Sequence, residues 1–138
     1  MICEVSFRGH DCIRSNHERT VEVTTGSDLT PAGDCILGVG ASAGCAGLPA
    51  GIREALRRPG ARVRCTFEAG GHSFTVSGHG DPGLVLSDPH DIVLRRSSFI
   101  CPRTMAVRCD KASDMAPRGM VRALRELGAG GRLVISVD

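Results

Sequence analysis

The sequence predicts a single mostly-β domain with two short helices, an α+β fold of barrel-like or jelly-roll-like form. Three observations predict this class. Short segments with alternating apolar residues indicate half-buried strands, only two segments carry helix-start signals, and an internal repeat divides the 138 residues into halves of about 1–69 and 70–138. Each half is expected to follow the order β-β-β-α-β, and pseudo-two-fold symmetry is expected to relate the halves.

The repeat is clearest around the two predicted helices. LPAGIREALRR at 48–58 matches APRGMVRALRE at 116–126 with a constant offset of 68, which pairs Pro49 with Pro117. The motif FRGHD near the start of the chain resembles VSGHG in the second half with an offset of 69. Common helix-start residues would produce the first match without a duplication, because proline is favoured at the first helical position. The flanking strands and the Gly-His pairs also match, and they favour a duplication.

Each half is predicted to contain two strands, a short apolar strand, a helix and a closing strand. In the first half these are 4–9, 19–25, 35–40, a helix from near Pro49 to Pro59-Gly60, and 61–68. In the second half they are 72–78, 91–97, 104–109, a helix from near Pro117 to Gly128, and 131–138. The Gly-rich segment 39–47 is predicted as a flexible loop. It matches neither the phosphate-binding loop nor the dinucleotide motif, so a phosphate site there is the lesser alternative.

Composition restricts the classes of partner. The net charge is +2, no block of like charges forms a basic arm, and aromatic residues make up only 3% of the chain, so nucleic-acid binding is not excluded but is not indicated. No apolar run reaches 18 residues and the N-terminal segment has no signal-peptide pattern, which predicts a cytoplasmic protein without a membrane span. Glutamine is absent and Asn16 is the only asparagine, a composition typical of hyperthermophile proteins.

The seven cysteines show no C-x-x-C spacing, so a structural zinc site is not expected and buried free thiols are the first interpretation. Four of the five histidines lie in the two Gly-His segments, as His10 and His17 and as His79 and His90. The repeat makes His10 the expected mate of His79, and His17 the approximate mate of His90. Such histidines can bind a divalent metal, act as acid and base near neutral pH, or hold a turn through backbone hydrogen bonds. All three alternatives apply to this sequence.

Charged residues before the third strand and the helix of the repeat are further site candidates. Asp34 and the neighbourhood of Arg103 occupy related places in the two halves, and Arg103 suits recognition of a carboxylate or phosphate, or a tie between the halves. Lys111 is the only lysine among seventeen basic residues and follows Asp110. A lysine can act as base, nucleophile or phosphate ligand. The corresponding positions of the first half are uncharged, and a site often breaks the symmetry of a repeat.

The chain resembles the archaeal domain-of-unknown-function (DUF) family 371. The resemblance lies in the Gly-His pair at 9–10, LTPAGDCILGV at 29–39, GHGDPGLVLSDPHDIVLRRSSFI at 78–100 and RTMAVRCDKAS at 103–113. It implies an archaeal, cytoplasmic, single-domain protein with a mostly-β barrel-like or jelly-roll-like fold. The family is uncharacterised by name, so the resemblance implies no activity, cofactor or catalytic residue.

Two functions are consistent with these residues. The first is a site for a small charged metabolite, phosphorylated or carboxylated, between the two halves, whether enzymatic or only binding. Its candidate catalytic residues are Lys111, Asp110, Asp34 and His10, and its candidate ligand-binding residues are Arg103, His90, Asp91, His17 and His79. The alternative is a non-catalytic module that binds RNA or a protein. A homodimer through an exposed edge strand is a further possibility.

Overall fold

The computed structural model describes all residues 1–138, which form eight strands and two helices. The strands are β1 (Ile2–Arg8), β2 (Thr20–Thr24), β3 (Ile36–Gly38), β4 (Arg62–Ala69), β5 (His72–His79), β6 (Asp91–Arg95), β7 (Thr104–Ala106) and β8 (Gly130–Val137). The helices are α1 (Ala50–Leu56) and α2 (Arg118–Leu124), each preceded by one 3-10 turn, at Cys45–Gly47 and Ser113–Met115. The predicted mostly-β, α+β class is confirmed.

The strands form two four-stranded sheets. The first has the order β1-β8-β4-β5 and is antiparallel throughout. The second has the order β3-β2-β6-β7, in which β2 and β6 are antiparallel while the short outer strands β3 and β7 run parallel to their neighbours. Along the chain, three strands, a helix and a strand occur in that order twice.

The predicted barrel does not form, because the two sheets do not close on each other. Where their edges meet, a single residue pair bridges them on each side: Arg8 with Val39, and His79 with Val107. The outer strands β3 and β7 have only three residues each, so they end before they can pair along the neighbouring sheet. The architecture is therefore two open sheets joined at single bridges.

One continuous apolar core lies between the sheets and under the helices. Alternation along β4 turns Val63, Cys65 and Phe67 inward, and this explains the period-two pattern of the sequence. The ring of Phe67 lies between those of Phe7 and Phe74, with centroids 6.3 and 6.0 Å away. Since the chain has only four aromatic residues, most of the core consists of aliphatic side chains, alanine and buried thiols.

Each helix holds a loop that belongs to the other half of the chain. Arg57, at the end of α1, donates from Nε to the Leu84 carbonyl at 2.8 Å. Arg125, at the end of α2, donates in the same way to the Ile13 carbonyl at 2.8 Å. The arginine at the matching position of the two similar helix segments therefore makes the same kind of contact in both. Neither helix has the length and apolar character needed to cross a membrane.

The Gly-rich segment 39–47 is packed rather than a free connector. A side chain at Gly44 would collide with the backbone of Pro89 and His90, so only glycine permits this approach. The amide of Ala46 also donates to the Asp88 carbonyl at 2.9 Å. The segment thus fastens the first half to the loop before β6, and the expectation of a flexible connector is wrong.

Candidate functional site

A polar groove crosses the outer face of the first sheet at the ends of β4, β5 and β8. It encloses about 550 Å³, and Val63 is its one apolar lining residue. The other lining residues are Arg62, Arg64, Ser77, Gly78, His79, Arg108, Asp110, Ser136 and Asp138. We call it the basic groove, because three arginines and a histidine line it. A volume of this size is within the range of small-molecule sites, about 300–1,000 Å³.

Strand register sets the floor of the basic groove. Arg64 on β4 lies directly opposite Ser77 on β5 and Ser136 on β8, so one guanidinium has a hydroxyl on each side. Arg62 lies opposite His79 in the same ladder. Cross-strand neighbours have Cβ atoms about 4.5–5.5 Å apart, close enough for one small ligand to touch several of these side chains.

Two cations of the groove have no partner within the protein. The side chains of Arg62 and Arg64 form neither a hydrogen bond nor an ion pair. Asp110, by contrast, is already engaged, because its Oδ1 accepts the Ser77 amide at 2.9 Å. Arg108 has only a long contact with Asp81, 3.9 Å between Nη1 and Oδ2. Asp138 also lines the groove and its carboxylate has no ion pair, so two free guanidinium groups face one free carboxylate and the free charge of the groove is positive.

The backbone of Arg108 is held in an unfavourable conformation. Its φ is 49°, in the left-handed region that side-chain-bearing residues seldom adopt. The Arg108 amide donates to the Ser97 carbonyl, and in the first half Gly40, with a φ of 57°, donates to the Gly26 carbonyl in the same manner. Glycine accepts this conformation without strain, so an arginine there is costly. Strained residues of this kind concentrate at functional sites.

Lys111 lies beside the basic groove but has a structural contact. Its Nζ donates to the Thr75 carbonyl at 2.7 Å, on the outer edge of β5, and lies 3.9 Å from Asp110 Oδ2. The ammonium group thus binds a backbone carbonyl on the outer edge of β5, where no neighbouring strand would bind it. Asp110 and Lys111 together cover this edge, because the Asp110 amide also donates to the Ser77 carbonyl.

A second charged group lies on the outer face of the other sheet. Glu22 on β2 has a side chain only 6% exposed, and its Oε1 lies 3.3 Å from Arg103 Nη1. The same Nη1 lies 3.4 Å from Asp91 Oδ2. Burial, together with the negative charge of Asp91, raises the pKa of Glu22 to about 7, although Arg103 acts in the opposite direction. We call Glu22, Asp91 and Arg103 the acid–arginine cluster.

The histidines do not meet at one point. The one group with metal-ligand spacing contains a single histidine, His10, with its neighbours Asp11 and Cys12. His10 Nδ1 accepts the Cys12 amide at 3.0 Å, which is the contact of a turn. His90 Nδ1 lies 3.0 Å from the Thr25 hydroxyl, and His79 lines the basic groove.

The expected pairing of the histidines between halves is not found. The amide of His10 donates to Leu124, the last residue of α2, whereas the residue that makes the same contact with α1 is Asp81. His79 lies two positions earlier, at the end of β5.

His17 likewise corresponds in its contacts to Asp88 and not to His90. His17 Nδ1 accepts the amides two and three residues ahead at 3.1 and 3.2 Å, and Asp88 Oδ1 does so at 2.7 and 2.8 Å.

The predicted site residues therefore fall into separate places. His79 and Asp110 line the basic groove with Lys111 beside it, while Arg103 and Asp91 belong to the acid–arginine cluster. No hydrogen bond or ion pair joins the Asp34 side chain to any of them, and its carbonyl accepts the Asn16 amide at 3.0 Å. His10 and His17 support turns.

Sequence reasoning missed the main cations of the groove and the buried acid. Arg62 and Arg64 alternate with apolar residues in a predicted strand, a pattern that places both on the outer face and could have indicated a basic stripe. Glu22 carries a weaker signal. Glu22 lies between Val21 and Val23 in the sequence. In the structure it lies opposite Val93 on β6, so an acid faces an apolar residue across the two strands.

Similarity to known protein sequences extends over most of the chain. Residues 5–138 match the family described as Domain of unknown function (DUF371), and the chain belongs to it, as the sequence resemblance indicated. The chain is also similar to the Uncharacterized protein MJ0206 of the archaeon Methanocaldococcus jannaschii, with 32% identity over 122 residues. That match covers 88% of this chain and 90% of the relative.

Proposed function

We propose that this protein binds a small phosphorylated or carboxylated ligand in the basic groove. The observation that carries the proposal is the pair of unpartnered guanidinium groups, Arg62 and Arg64, on a floor with the hydroxyls of Ser77 and Ser136. Guanidinium groups bind carboxylates and phosphates through paired hydrogen bonds, and hydroxyls supply further donors. An anion would therefore give these cations the partner that the protein itself does not.

Two further groove residues, Arg108 and His79, fit the same class of ligand. Arg108 adds a third guanidinium at the end of the groove, and its strained backbone is the kind of cost that a functional residue carries. His79 provides an imidazole on the neighbouring strand. The polar lining indicates a hydrophilic ligand, because a single apolar residue would bury little of an apolar one.

We also infer that the two halves of the chain, about 1–69 and 70–138, arose by duplication and are related by a pseudo-two-fold axis. The matching helix-to-loop hydrogen bonds of Arg57 and Arg125 support this inference. So does the central ladder of the second sheet, in which β2 and β6 run antiparallel with Glu22 opposite Val93. The basic groove then draws on both halves, since Arg62 and Arg64 come from the first and His79 and Arg108 from the second.

We infer a cytoplasmic location from the cysteines. All seven are free thiols, and three of them are buried. Free thiols persist where the compartment is reducing.

Thermal shift against inorganic phosphate, a nucleoside monophosphate and a dicarboxylate tests the proposed ligand class. Ligand at 100 times its dissociation constant should raise the free energy of unfolding by about 2.7 kcal/mol. Arg64→Gln and Arg62→Gln should each weaken binding about tenfold or more, as expected for the loss of one charge-assisted hydrogen bond of about 1.5–3 kcal/mol. Arg58→Gln is the matched control, because Arg58 is exposed and lies outside the groove.

The same experiment distinguishes the metabolite site from the alternative, a non-catalytic module that binds RNA or a protein. Binding of a short RNA that weakens steeply with salt, with no response to any small anion, would replace the metabolite site by a nucleic-acid surface. Equal binding by Arg64→Gln and the parent chain would place the anion elsewhere on the molecule.

A further inference from the structure

A thiol in the loop between β6 and β7 lies beside two hydrogen-bonding side chains, one at the end of β6 and one at the start of β7. Arg95 Nη2 lies 3.4 Å from the sulfur of Cys101, and its Nε donates to the Thr104 hydroxyl oxygen at 2.9 Å. The guanidinium also lies over the ring of Phe99, 5.0 Å from the centroid. The Arg95 guanidinium is therefore held by Cys101, Thr104 and Phe99, with one of its nitrogens beside the sulfur. We call Arg95, Cys101 and Thr104 the thiol cluster.

The Thr104 hydroxyl can donate its proton either to the sulfur of Cys101 or to one backbone carbonyl. Its hydroxyl oxygen accepts both Arg95 Nε and the Cys101 amide, the latter at 3.2 Å. A hydroxyl has one proton to donate, and the two acceptors within reach are Cys101 Sγ and the Phe99 carbonyl, each at 3.5 Å. A negative sulfur would attract that proton, as it attracts the guanidinium.

These contacts favour the thiolate over the thiol. Partial burial alone would raise the pKa of Cys101, but the Thr104 hydroxyl, the Arg103 amide and the Arg95 guanidinium lower it to about 7. A large fraction of Cys101 is then ionised at neutral pH. The thiolate is the nucleophilic form of cysteine.

Cys35 is a natural comparison within the same chain. Both thiols are half-buried and lie in the loops that precede the short outer strands. Burial, with the nearby charge of Glu22, raises the pKa of Cys35, whose sulfur lies 4.0 Å from that carboxylate. Burial also raises the pKa of four more thiols, Cys3, Cys45, Cys65 and Cys109.

The thiol cluster belongs to one half of the chain only. The ladder of β2 and β6 has Thr20 opposite Arg95 and Asp91 opposite Thr24, so Thr24 holds the place in β2 that Arg95 holds in β6. The Thr104 amide donates to the Cys101 carbonyl as that of Ile36 donates to Gly33. The first half therefore has threonine, glycine and isoleucine in place of Arg95, Cys101 and Thr104. A contact needed only for the fold would be expected in both halves, as with Arg57 and Arg125.

We propose that the thiol cluster is a nucleophilic site at which Cys101 forms a mixed disulfide with an anionic low-molecular-weight disulfide. The Cys101 thiolate attacks one sulfur of that molecule, a new sulfur–sulfur bond forms, and the original bond breaks. The other half leaves as a thiolate with the electron pair of the broken bond, and a second thiol reverses the reaction. Arg95 forms no ion pair with a carboxylate, although its charge also acts on Glu22, and its guanidinium at the sulfur favours an anionic reagent.

The reaction of the folded protein with 5,5′-dithiobis(2-nitrobenzoate), an anionic disulfide, tests this site. One equivalent should react before the others, peptide mapping should place it on Cys101, and its rate should rise with a midpoint near pH 7. Arg95→Met and Thr104→Val should each slow this phase about tenfold or more, while Thr104→Ser, which keeps the hydroxyl, should retain it. The uncharged reagent 4,4′-dithiodipyridine should be less sensitive to Arg95→Met.

Several outcomes would overturn the site. These are a first equivalent on Cys3, Cys12 or Cys35, a fast phase that survives in Cys101→Ser, or a rate at Cys101 that rises only near the ordinary thiol pKa of about 8.5. Circular dichroism identifies variants that fail to fold, and for these the peptide map of the parent chain decides. Arg58→Gln, at an exposed arginine outside both sites, should leave the fast phase intact. Anion binding is measured by thermal shift and thiol reactivity by the reagent, so failure of the anion groove and failure of the thiol cluster are distinguishable.

Discussion

Arg103 Nη1 lies 3.3 Å from Glu22 Oε1, and this contact joins residues 81 positions apart in the sequence. The carboxylate is nearly buried, whereas the guanidinium is 44% exposed. Arg103 therefore brings a partly solvated positive charge to an acid that is nearly shielded from water. Burial and the charge of Asp91 raise the pKa of Glu22 to about 7, although the positive charges of Arg103 and Arg95 act in the opposite direction.

This acid should make stability depend on pH. Glu22 binds its proton more tightly in the folded chain, with a pKa of about 7, than in the unfolded chain, with a value of 4.5. Its contribution is fully present below pH 4.5 and is lost as pH rises through about 7, so the free energy of unfolding should fall by about 3 kcal/mol across that interval. Urea denaturation at pH 4.5, 6 and 8 measures this. Glu22→Gln should remove the dependence, whereas Glu4→Gln, on an exposed acid, should keep it.

Removal of the guanidinium should leave a buried, unpaired acid. Arg103→Met is expected to reduce stability by about 2 kcal/mol at pH 8, and by less at pH 5, where Glu22 is protonated. In a double-mutant cycle, Glu22→Gln should recover most of the loss, because no charge is then left unpaired. Additive losses in the double variant would mean that Arg103 acts through Asp91 or through packing of its stem.

Helix starts and strand alternation depend on neighbouring residues in the chain, and both were predictable from the sequence. Pro49 and Pro117 stand immediately before α1 and α2, as their preference for helix starts predicts. The strand alternation also corresponds to the observed burial along β4. The same reasoning could not find the acid–arginine cluster, because burial of Glu22 depends on a loop that carries Arg103 from the other half of the chain.

The spacing between the corresponding segments of the two halves is not constant along the chain. The offset of 68 aligns the helices, but the loops before β2 and β6 are related by a different offset. The closest approach of Gly9 to Leu124 corresponds to that of Gly80 to Leu56, an offset of 71. The Gly-His pairs at 9–10 and 78–79 therefore do not make matching contacts, and the offset of 69 paired His10 with a residue in a different environment.

Lys111 should contribute to stability more than to ligand binding. Lys111→Met removes the hydrogen bond to the Thr75 carbonyl on the edge of β5, and we expect a loss of about 1 kcal/mol in the free energy of unfolding. Urea denaturation measures the loss, with Arg96→Met as the control, because Arg96 is exposed and its side chain makes no hydrogen bond. Unchanged stability together with lost anion binding would instead make Lys111 a ligand residue of the basic groove.

Two glycines at the helix ends should be irreplaceable by alanine. A methyl group at Gly9 would collide with the carbonyl oxygen of Leu124, and one at Gly80 with that of Leu56, and both oxygens belong to backbone that cannot move aside cheaply. Each substitution should lower stability by about 1–3 kcal/mol, the usual cost of overpacking. Gly130→Ala is the matched control, because nothing lies within 4 Å of its added methyl, and it should be neutral or slightly stabilising.

Thermal unfolding of the three glycine variants under one buffer condition measures these effects. Gly9→Ala and Gly80→Ala should lower the midpoint by similar amounts, because both disturb the contact between a helix end and the loop of the other half. If one of the two were neutral, that loop would have to shift away from its helix without loss of the amide hydrogen bonds of His10 or Asp81. Equal losses in all three variants would contradict the assignment of the cost to these two contacts, because the methyl group added at Gly130 meets no neighbour and its effect on the unfolded chain is stabilising.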